Sequence, residues 1–154
     1  MNAMVTSIIA VLGTLLGSTV THVFQRRAAL RTEHNTRLER GRQERLETFG
    51  SYAGLLVEYR QAALHHWFCV HEGRDAEDEV ELRKRSFETR SGAQRALFQL
   101  QLLVDEPELL AVAGEAFERI GRIDRAVDRQ DVTARRDGSR ESIDAFVATA
   151  RRYV

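Results

Sequence analysis

The stretch that decides the fold is LETFGSYAGLLVEYRQAALHHW, from Leu46 to Trp67. Its apolar residues recur every three or four positions, which is the spacing of one face of an α-helix. The spacing predicts that Leu46, Phe49, Leu56 and Trp67 face a core. A helix with so broad an apolar face needs partners to cover it, so the rest of the chain must supply them.

Three later stretches show the same spacing. They predict helices over 76–104, 107–127 and from about 139 to the end of the chain. Together with the first stretch they predict an antiparallel four-helix bundle, an all-α domain spanning 43–154. The inward residues predicted in these three helices are Val80, Phe87, Leu97, Phe117, Ile120, Ile123 and Phe146.

The segments between these helices carry residue types that begin and end helices. Gly73 is predicted to end the first helix, and Asp75 to cap the start of the second. Asp105 is predicted to cap the third helix, with Pro107 in its first turn, where the missing N–H costs nothing. The stretch RRDGSRE is predicted to be a turn in which Ser139 caps the fourth helix.

The composition favours helices and excludes some classes of protein. The 154 residues include a single proline, and the 23 Lys and Arg balance the 23 Asp and Glu. A net charge of zero does not point to nucleic acid as a partner of the whole chain. Cys69 is the only cysteine, so an internal disulfide is excluded.

The N-terminal run from Met4 to Phe24 contains no Asp, Glu, Lys or Arg. As a helix it would span about 31 Å, the hydrocarbon thickness of a bilayer. No basic residue precedes the run, whereas Arg26, Arg27 and Arg31 follow it. The positive-inside rule then predicts a single-pass anchor in the cell membrane at 1–24, with its N-terminus outside and the C-terminal domain in the cytoplasm. A cleaved export signal and a soluble core helix remain the alternatives.

Small residues recur along one face of the predicted anchor. Gly13 and Gly17 form a GxxxG pair that Thr21 extends. Such a face lets two membrane helices approach closely. It predicts a homo-oligomer with parallel anchors, although glycine pairs also occur in membrane helices without consequence.

The stretch over 25–42 predicts an arginine-rich helix that leaves the membrane. Its first arginines lie within about 10 Å of the surface and can contact anionic lipid headgroups of the bilayer. DNA is an alternative partner for these arginines, but acidic residues interrupt the run and no aromatic residue accompanies it. A solvated stalk is therefore the favoured interpretation, and no direct contact with nucleic acid is expected.

The best candidate cluster of metal ligands is HHWFCVHE, in which His65 stands four residues and His66 three residues before Cys69, about one helical turn. A structural zinc site needs four ligands, and no second pair with suitable spacing is present. His71 precedes an acidic residue, as in phosphoacceptor histidines, but it stands at a predicted helix end. Glycine-rich phosphate loops and nucleophile elbows are also missing. We therefore expect a non-enzymatic protein with no catalytic residues, metal or cofactor.

Four stretches resemble a known family when they are taken in order: SIIAVLGTLLGSTVTHVFQRRAA, RQERLETFGSYAGLLVEYRQAALHHW, ALFQLQLLVDEPEL and AFERIGRIDRAVD. Together they resemble the KilB-like small membrane proteins of Streptomyces and related actinobacteria. The resemblance implies a membrane protein that helps conjugative plasmid DNA to spread through the mycelium and is lethal when unregulated. It implies no catalytic residue.

These features predict a membrane-anchored interaction or scaffold protein that binds an unidentified protein partner, which could belong to the plasmid transfer apparatus. One alternative is a holin-like toxin that perturbs the membrane by assembling anchors. Another is a membrane-tethered regulatory protein. A toxin would not need the large folded domain over 43–154, which favours the scaffold.

Overall fold

The computed structural model describes the backbone of residues 2–73 and 76–154, and the side chains of residues 37–73 and 78–154. Every regular element in these ranges is helical, which confirms the predicted all-helical fold. The α-helices are α1 (Asn2–Glu72), α2 (Ala76–Leu103), α3 (Pro107–Gly121) and α4 (Arg129–Ala150). Short 3₁₀ turns over Ile123–Arg125 and Arg151–Tyr153 follow α3 and α4.

The chain divides into two compact units, Met1–Arg42 and Gln43–Val154. In the first unit the side chains are described only from Arg37 onward. The predicted anchor at 1–24 and most of the basic helix at 25–42 therefore lie outside the described side chains. In the part of the chain with described side chains, no helix has the length and apolar character needed to cross a membrane.

The second unit is a helical bundle held together by aromatic residues of α1. Tyr52 meets Phe146 of α4 edge to face, with ring centroids 5.1 Å apart. Its hydroxyl donates a hydrogen bond of 2.9 Å to the Ala113 carbonyl of α3. The indole nitrogen of Trp67 donates to the Ala126 carbonyl at 2.9 Å. Large rings can be buried here because their polar atoms find partners inside the bundle.

The turn between α1 and α2 follows the predicted glycine signal. Gly73 has φ of +69°, the left-handed conformation that a residue without Cβ adopts at low cost. α1 ends one residue earlier, at Glu72. α2 begins at Ala76 and ends at Leu103, close to the predicted 76–104. The predicted cap residue Asp75 lies outside the described residues.

The prediction that Asp105 caps α3 is wrong. Pro107 is the first residue of α3, as predicted for its position in the first turn. A proline pushes the residue before it out of the helical region. Glu106 accordingly takes an extended conformation (φ −73°, ψ 106°) and occupies the cap position. The Glu106 side chain makes no capping hydrogen bond.

The prediction that the third helix extends to Val127 is also wrong. α3 ends at Gly121, and the Arg122 N–H turns back to the carbonyls of Arg119 and Ile120. The chain then tightens into a 3₁₀ turn that buries Ile123 but leaves Val127 80% exposed. The helical spacing of apolar residues continues into this turn because the turn also supplies an apolar residue, Ile123, that covers the core.

α4 begins at Arg129, ten residues before the predicted cap Ser139. Its start is fixed by two aspartates that cap it reciprocally. The Asp128 carboxylate accepts from the Asp131 N–H at 2.8 Å, and the Asp131 carboxylate accepts from the Val127 N–H at 3.1 Å.

RRDGSRE is therefore part of a continuous helix, and the predicted turn is wrong. Ser139 is buried, and its hydroxyl donates to the Arg136 carbonyl of the preceding turn at 2.8 Å. A Cβ at Gly138 would lie 3.4 Å from the Arg119 guanidinium, so this arginine of α3 lies close to α4 at the glycine. A glycine inside a helix costs about 1 kcal/mol, which close packing of α3 against α4 can offset.

Three residues predicted to be in the core are exposed, and those predictions are wrong. Leu46 stands about 90° around α1 from the buried face, at the edge of the second unit. Phe87 lies on the side of α2 opposite its buried residues, as does Val80. The remaining predicted core residues are buried: Phe49, Leu56, Trp67, Leu97, Phe117, Ile120, Ile123 and Phe146.

Candidate interaction surface

The outer face of α2 carries four large apolar residues in contact with solvent. We call Val80, Phe87, Phe98 and Leu102 the α2 outer face; their exposed fractions are 67%, 62%, 53% and 89%. With about 100° of rotation per residue, these four positions lie within about 60° of one another around the helix. They therefore form one stripe along α2 rather than four scattered residues.

The same helix has a second apolar side that faces the core. The buried residues of α2 include Ala93, Ala96, Leu97 and Leu100. They lie on the opposite side of the helix from the α2 outer face. A helix that only covers a core needs one apolar face, and a stripe of exposed apolar residues is typical of a surface that binds a partner.

Charged residues border the α2 outer face near its N-terminal end. Asp78, Glu79 and Glu81 precede Arg83, Lys84 and Arg85 along the helix. Arg83 and Glu79 are paired at 2.9 Å. An apolar stripe with charged borders is the composition of many helix–helix interfaces, in which the apolar residues contribute affinity and the charges contribute register.

A smaller apolar surface lies on α1. Leu46 and Val57 are exposed on the same side of the helix, with Gly50 and Gly54 between them. A Cβ placed on either glycine would meet nothing within 4 Å, so the surface above them is open. This surface has fewer large apolar side chains than the α2 outer face.

Arg60 joins the buried faces of α1 and α4. Its guanidinium donates to the Ser139 hydroxyl at 3.0 Å and to the Arg136 carbonyl at 3.2 Å. Burial, together with the neighbouring charges of Arg136 and Arg140, lowers the pKa of Arg60. This arginine occupies a core position in the sequence spacing because it bonds to a neighbouring helix, so its role is structural.

The HHWFCVHE segment does not gather its potential metal ligands in one place. His65 is exposed, whereas Cys69 is buried. His71 stacks on the Trp67 ring with centroids 4.0 Å apart and hydrogen-bonds to the Trp67 carbonyl through Nδ1 at 2.9 Å. In the described part of the chain, no group of three or more histidine, cysteine, aspartate or glutamate side chains could hold a metal ion.

The other functional residues predicted from sequence belong to the N-terminal unit. The proposed anchor-packing residues Gly13, Gly17 and Thr21 lie outside the described side chains. The same holds for the membrane-edge residues Arg26, Arg27 and Arg31. Of the predicted functional features, only those of the bundle can therefore be placed by the structure.

The family model of the KilB plasmid transfer protein matches residues 46–154, which is more than half of the chain. The chain belongs to the KilB family. The matched region covers the described bundle from Leu46 onward, including both faces of α2. No curated protein and no solved structure gives a significant match. Family membership indicates a role in plasmid transfer.

Sequence spacing does not reveal the α2 outer face, because Phe87 and Val80 are apolar and are therefore predicted to lie in the core. A signal was present in the sequence. Val80 and Phe98 are separated by eighteen residues, or about five helical turns, and therefore share a face. The nearly continuous apolar run around Leu97 to Val104 holds more apolar residues than one face can bury.

Proposed function

We propose that this KilB-family chain is a non-enzymatic, membrane-anchored scaffold for plasmid transfer that self-associates through the α2 outer face. The observation that carries this proposal is the stripe of exposed apolar residues on α2, inside the region matched by the family model. A scaffold needs a surface for partners, and this stripe is one that the bundle does not use for its own core.

The N-terminal sequence supports the membrane anchor. The uncharged run from Met4 to Phe24 is long enough to cross a bilayer as a helix, and Arg26 and Arg27 follow it directly. This order favours a cytoplasmic bundle. A reporter fused after Val154 should then be active in the cytoplasm and inactive outside the membrane. The opposite activity would reverse the proposed orientation, and a chain that starts near Thr21 would show a cleaved signal.

A second copy of this chain is the occupant that we propose for the α2 outer face. A two-fold interface needs one surface that is complementary to itself, and a stripe along one helix can pair with the same stripe. Anchors in a shared membrane would also raise the local concentration of bundles, so weak contacts between them become occupied. Pairing would cover aromatic residues at the centre of the stripe, where interface energy usually concentrates.

Disulfide trapping in the full chain tests this pairing. Cys69 is first replaced by alanine, and Phe87→Cys or Phe98→Cys is then introduced alone. Rapid cross-linking of each variant with itself would indicate parallel helices in register. Cross-linking only between the two different variants would indicate antiparallel helices. Failure of both variants to cross-link in membranes, alone or mixed, would contradict self-association through this face.

A matched pair of substitutions connects the surface to plasmid transfer. Phe98→Glu places a charge in the stripe, whereas Gln99→Glu places the same charge at the adjacent exposed position outside it. We expect Phe98→Glu to reduce both cross-linking and plasmid spread, and Gln99→Glu to leave both unchanged. Loss of cross-linking without loss of spread would show that self-association is not needed for transfer.

Fragments at the boundary between the two units distinguish the scaffold from a toxin. The fragment 1–42 holds the proposed anchor, and 43–154 holds the bundle. A scaffold predicts that 1–42 is harmless and that spread requires both units. A holin-like toxin predicts that 1–42 kills on its own, and Gly13→Ile with Gly17→Ile should then abolish killing by blocking close contact of anchors.

A further inference from the structure

A cleft opens between the C-terminal half of α1, the first half of α2 and the 3₁₀ turn after α3. Its volume is about 400 Å³. Clefts of this size are typical of small-molecule sites in proteins. Phe87 stands at its rim, and the polar residues that line it are Tyr59, His66, Arg83, Ser86, Arg90 and Asp124.

Arg90 provides a positive charge that pairs with no carboxylate among the described side chains. In the described part of the chain its guanidinium has no carboxylate within salt-bridge distance. Its guanidinium carbon lies 5.9 Å from the centroid of the Phe117 ring. A cation–π contact of this kind holds the side chain at the cleft. Arg83 on the same side is already paired with Glu79 at 2.9 Å, so Arg90 is the arginine that is available to a ligand.

His66 lines the cleft and has unmet hydrogen-bonding capacity. Both ring nitrogens are shielded from solvent, and neither has a hydrogen-bond partner in the structure. The nearest acid is Asp124, whose carboxylate oxygen lies 3.5 Å from Nδ1. Polar atoms buried in this way are costly unless they are paired, and unmatched atoms of this kind often mark functional sites.

Two hydroxyl groups add donors to the cleft. Ser86 is nearly buried, and Tyr59 is almost fully buried. A Cβ at Gly121 would lie 3.3 Å from the Tyr59 hydroxyl, so this glycine leaves room for that hydroxyl beside α3. The cleft thus combines a free guanidinium with an imidazole and two hydroxyls, all of which can donate to an anion.

We propose that this cleft binds the phosphate group of a small phosphate monoester. A carboxylate has two oxygens, whereas a phosphate group has three terminal oxygens and matches the larger number of donors. Arg90 provides the planar fork that suits such oxygens. Asp124 adds a negative charge to the cleft, against which Arg83 and Arg90 contribute two positive charges.

This site is separate from the proposed scaffold function. Its polar residues face the interior of the cleft, and only Phe87 belongs also to the α2 outer face. A variant can therefore lose the pairing of α2 helices and still bind phosphate. Another variant can lose phosphate binding and still pair.

The test titrates glycerol phosphate into the full chain in maltoside micelles, which contain no phosphate. Nuclear magnetic resonance of ¹⁵N-labelled histidines follows the ring nitrogens of His66, with exposed His65 as the internal reference. We expect the His66 signals to shift with saturation while those of His65 stay nearly constant. Sodium sulfate at the same ionic strength controls for salt.

Arg90→Gln and Arg95→Gln form the matched variants. Both arginines are exposed on α2, but only Arg90 lines the cleft. We expect Arg90→Gln to weaken binding about tenfold or more, the scale of a charge-assisted hydrogen bond, and Arg95→Gln to change it by less than about twofold. If Arg90→Gln does not fold, Arg90→Lys keeps the charge but loses the fork, and it should still weaken binding.

The proposal is overturned if the His66 signals do not saturate, if sulfate shifts them equally, or if both glutamine variants lose affinity to the same extent. A second arm replaces glycerol phosphate with nanodiscs containing phosphatidic acid, a lipid phosphate monoester. Arg90-dependent shifts with glycerol phosphate identify a soluble ligand. Shifts that depend on Arg90 only in the nanodiscs identify a lipid headgroup as the source of the phosphate. Absence of such shifts in both arms rejects the site.

Discussion

The neighbouring helices α2 and α3 distribute their apolar side chains differently. α3 places Leu109, Ala113, Ala116, Phe117 and Ile120 on one buried face. α2 places apolar residues on its core side and also on the α2 outer face. α3 therefore serves the core alone, while α2 carries more apolar surface than the core can cover. The excess surface on α2 is the physical basis of the proposed interface.

The largest expected effect separates the two sides of α2. Leu100 is fully buried and Leu102 is 89% exposed, two residues further along the same helix. Leu100→Asp buries an unpaired carboxylate and should lower the free energy of unfolding by about 4 kcal/mol or more. Leu102→Asp should change it by less than about 0.5 kcal/mol. Urea unfolding of residues 43–154, followed by circular dichroism, measures both.

That measurement requires the bundle to fold on its own, and residues 43–154 are predicted to be highly helical in water without detergent. Similar losses for Leu100→Asp and Leu102→Asp would show that the α2 outer face is buried within the bundle. The distinction between the two sides of α2 would then be wrong.

A smaller difference in stability is expected between a substitution in α3 and a substitution in the α2 outer face. Ile120 is fully buried on α3. Ile120→Ala removes packed side-chain atoms and should cost about 2–5 kcal/mol. Phe98→Ala removes a larger side chain but should cost less than about 0.5 kcal/mol in the isolated bundle. In membranes it should instead weaken self-association. A large loss of bundle stability for Phe98→Ala would mean that Phe98 packs within its own chain.

The hydrogen bond from Tyr52 to α3 provides a third test. Tyr52 donates to the Ala113 carbonyl inside the bundle. Tyr52→Phe leaves that carbonyl without its buried donor and should cost about 1–2 kcal/mol at neutral pH. Burial also raises the pKa of Tyr52 and that of Tyr59. At Tyr59 the charge of Arg90 opposes this increase in pKa, whereas Asp124 and Glu118 add to it.

The raised pKa values predict how stability depends on pH. A tyrosine in the unfolded chain loses its proton near about pH 10, whereas these buried tyrosines keep theirs to higher pH. The stability that they contribute is therefore complete below about pH 10 and is lost as the pH rises further. Because Tyr52→Phe removes one of the two groups, its stability should fall less steeply between about pH 9.5 and about pH 11. An equal slope in the variant would show that Tyr52 does not contribute to the decline.

The smallest expected effect concerns the ends of the helices. The Asp128 carboxylate caps α4, whereas Glu106 rather than Asp105 holds the cap position of α3. Asp128→Ala should therefore destabilise the bundle by about 1 kcal/mol. Asp105→Ala should change stability by less than about 0.5 kcal/mol. Thermal unfolding measures the stability of the two variants. Equal losses of stability would show that Asp105 also caps a helix.

Much of the bundle was predictable because its core residues follow a helical period. Phe49, Leu56 and Trp67 lie on the buried face of α1, and Gly73 ends that helix as its residue type indicates. Sequence spacing could not place the start of α4, because Gly138 and Ser139 are common in turns. In this bundle they lie inside a helix, where they accommodate Arg119 and bind Arg60.

The cleft lined by Arg90 and His66 could not be predicted from residue order. Its residues come from α1, α2 and a 3₁₀ turn, with Tyr59 and Asp124 far apart in the chain. The sequence spacing makes His66 a potential metal ligand together with Cys69. In the structure Cys69 is buried in the core, and the nearest acid to His66 is Asp124.

The sequence by itself determined the all-helical fold and the approximate bounds of α1 and α2, because helical periods and glycine signals act over a few residues. It also carries the argument for an N-terminal anchor, which depends on a run of uncharged residues and the arginines after it. Only the tertiary structure decided which apolar residues are buried. Leu100 and Leu102 are chemically identical, and their different surroundings arise because one side of α2 faces the core of the bundle, beside α1 and α3, and the other side faces solvent.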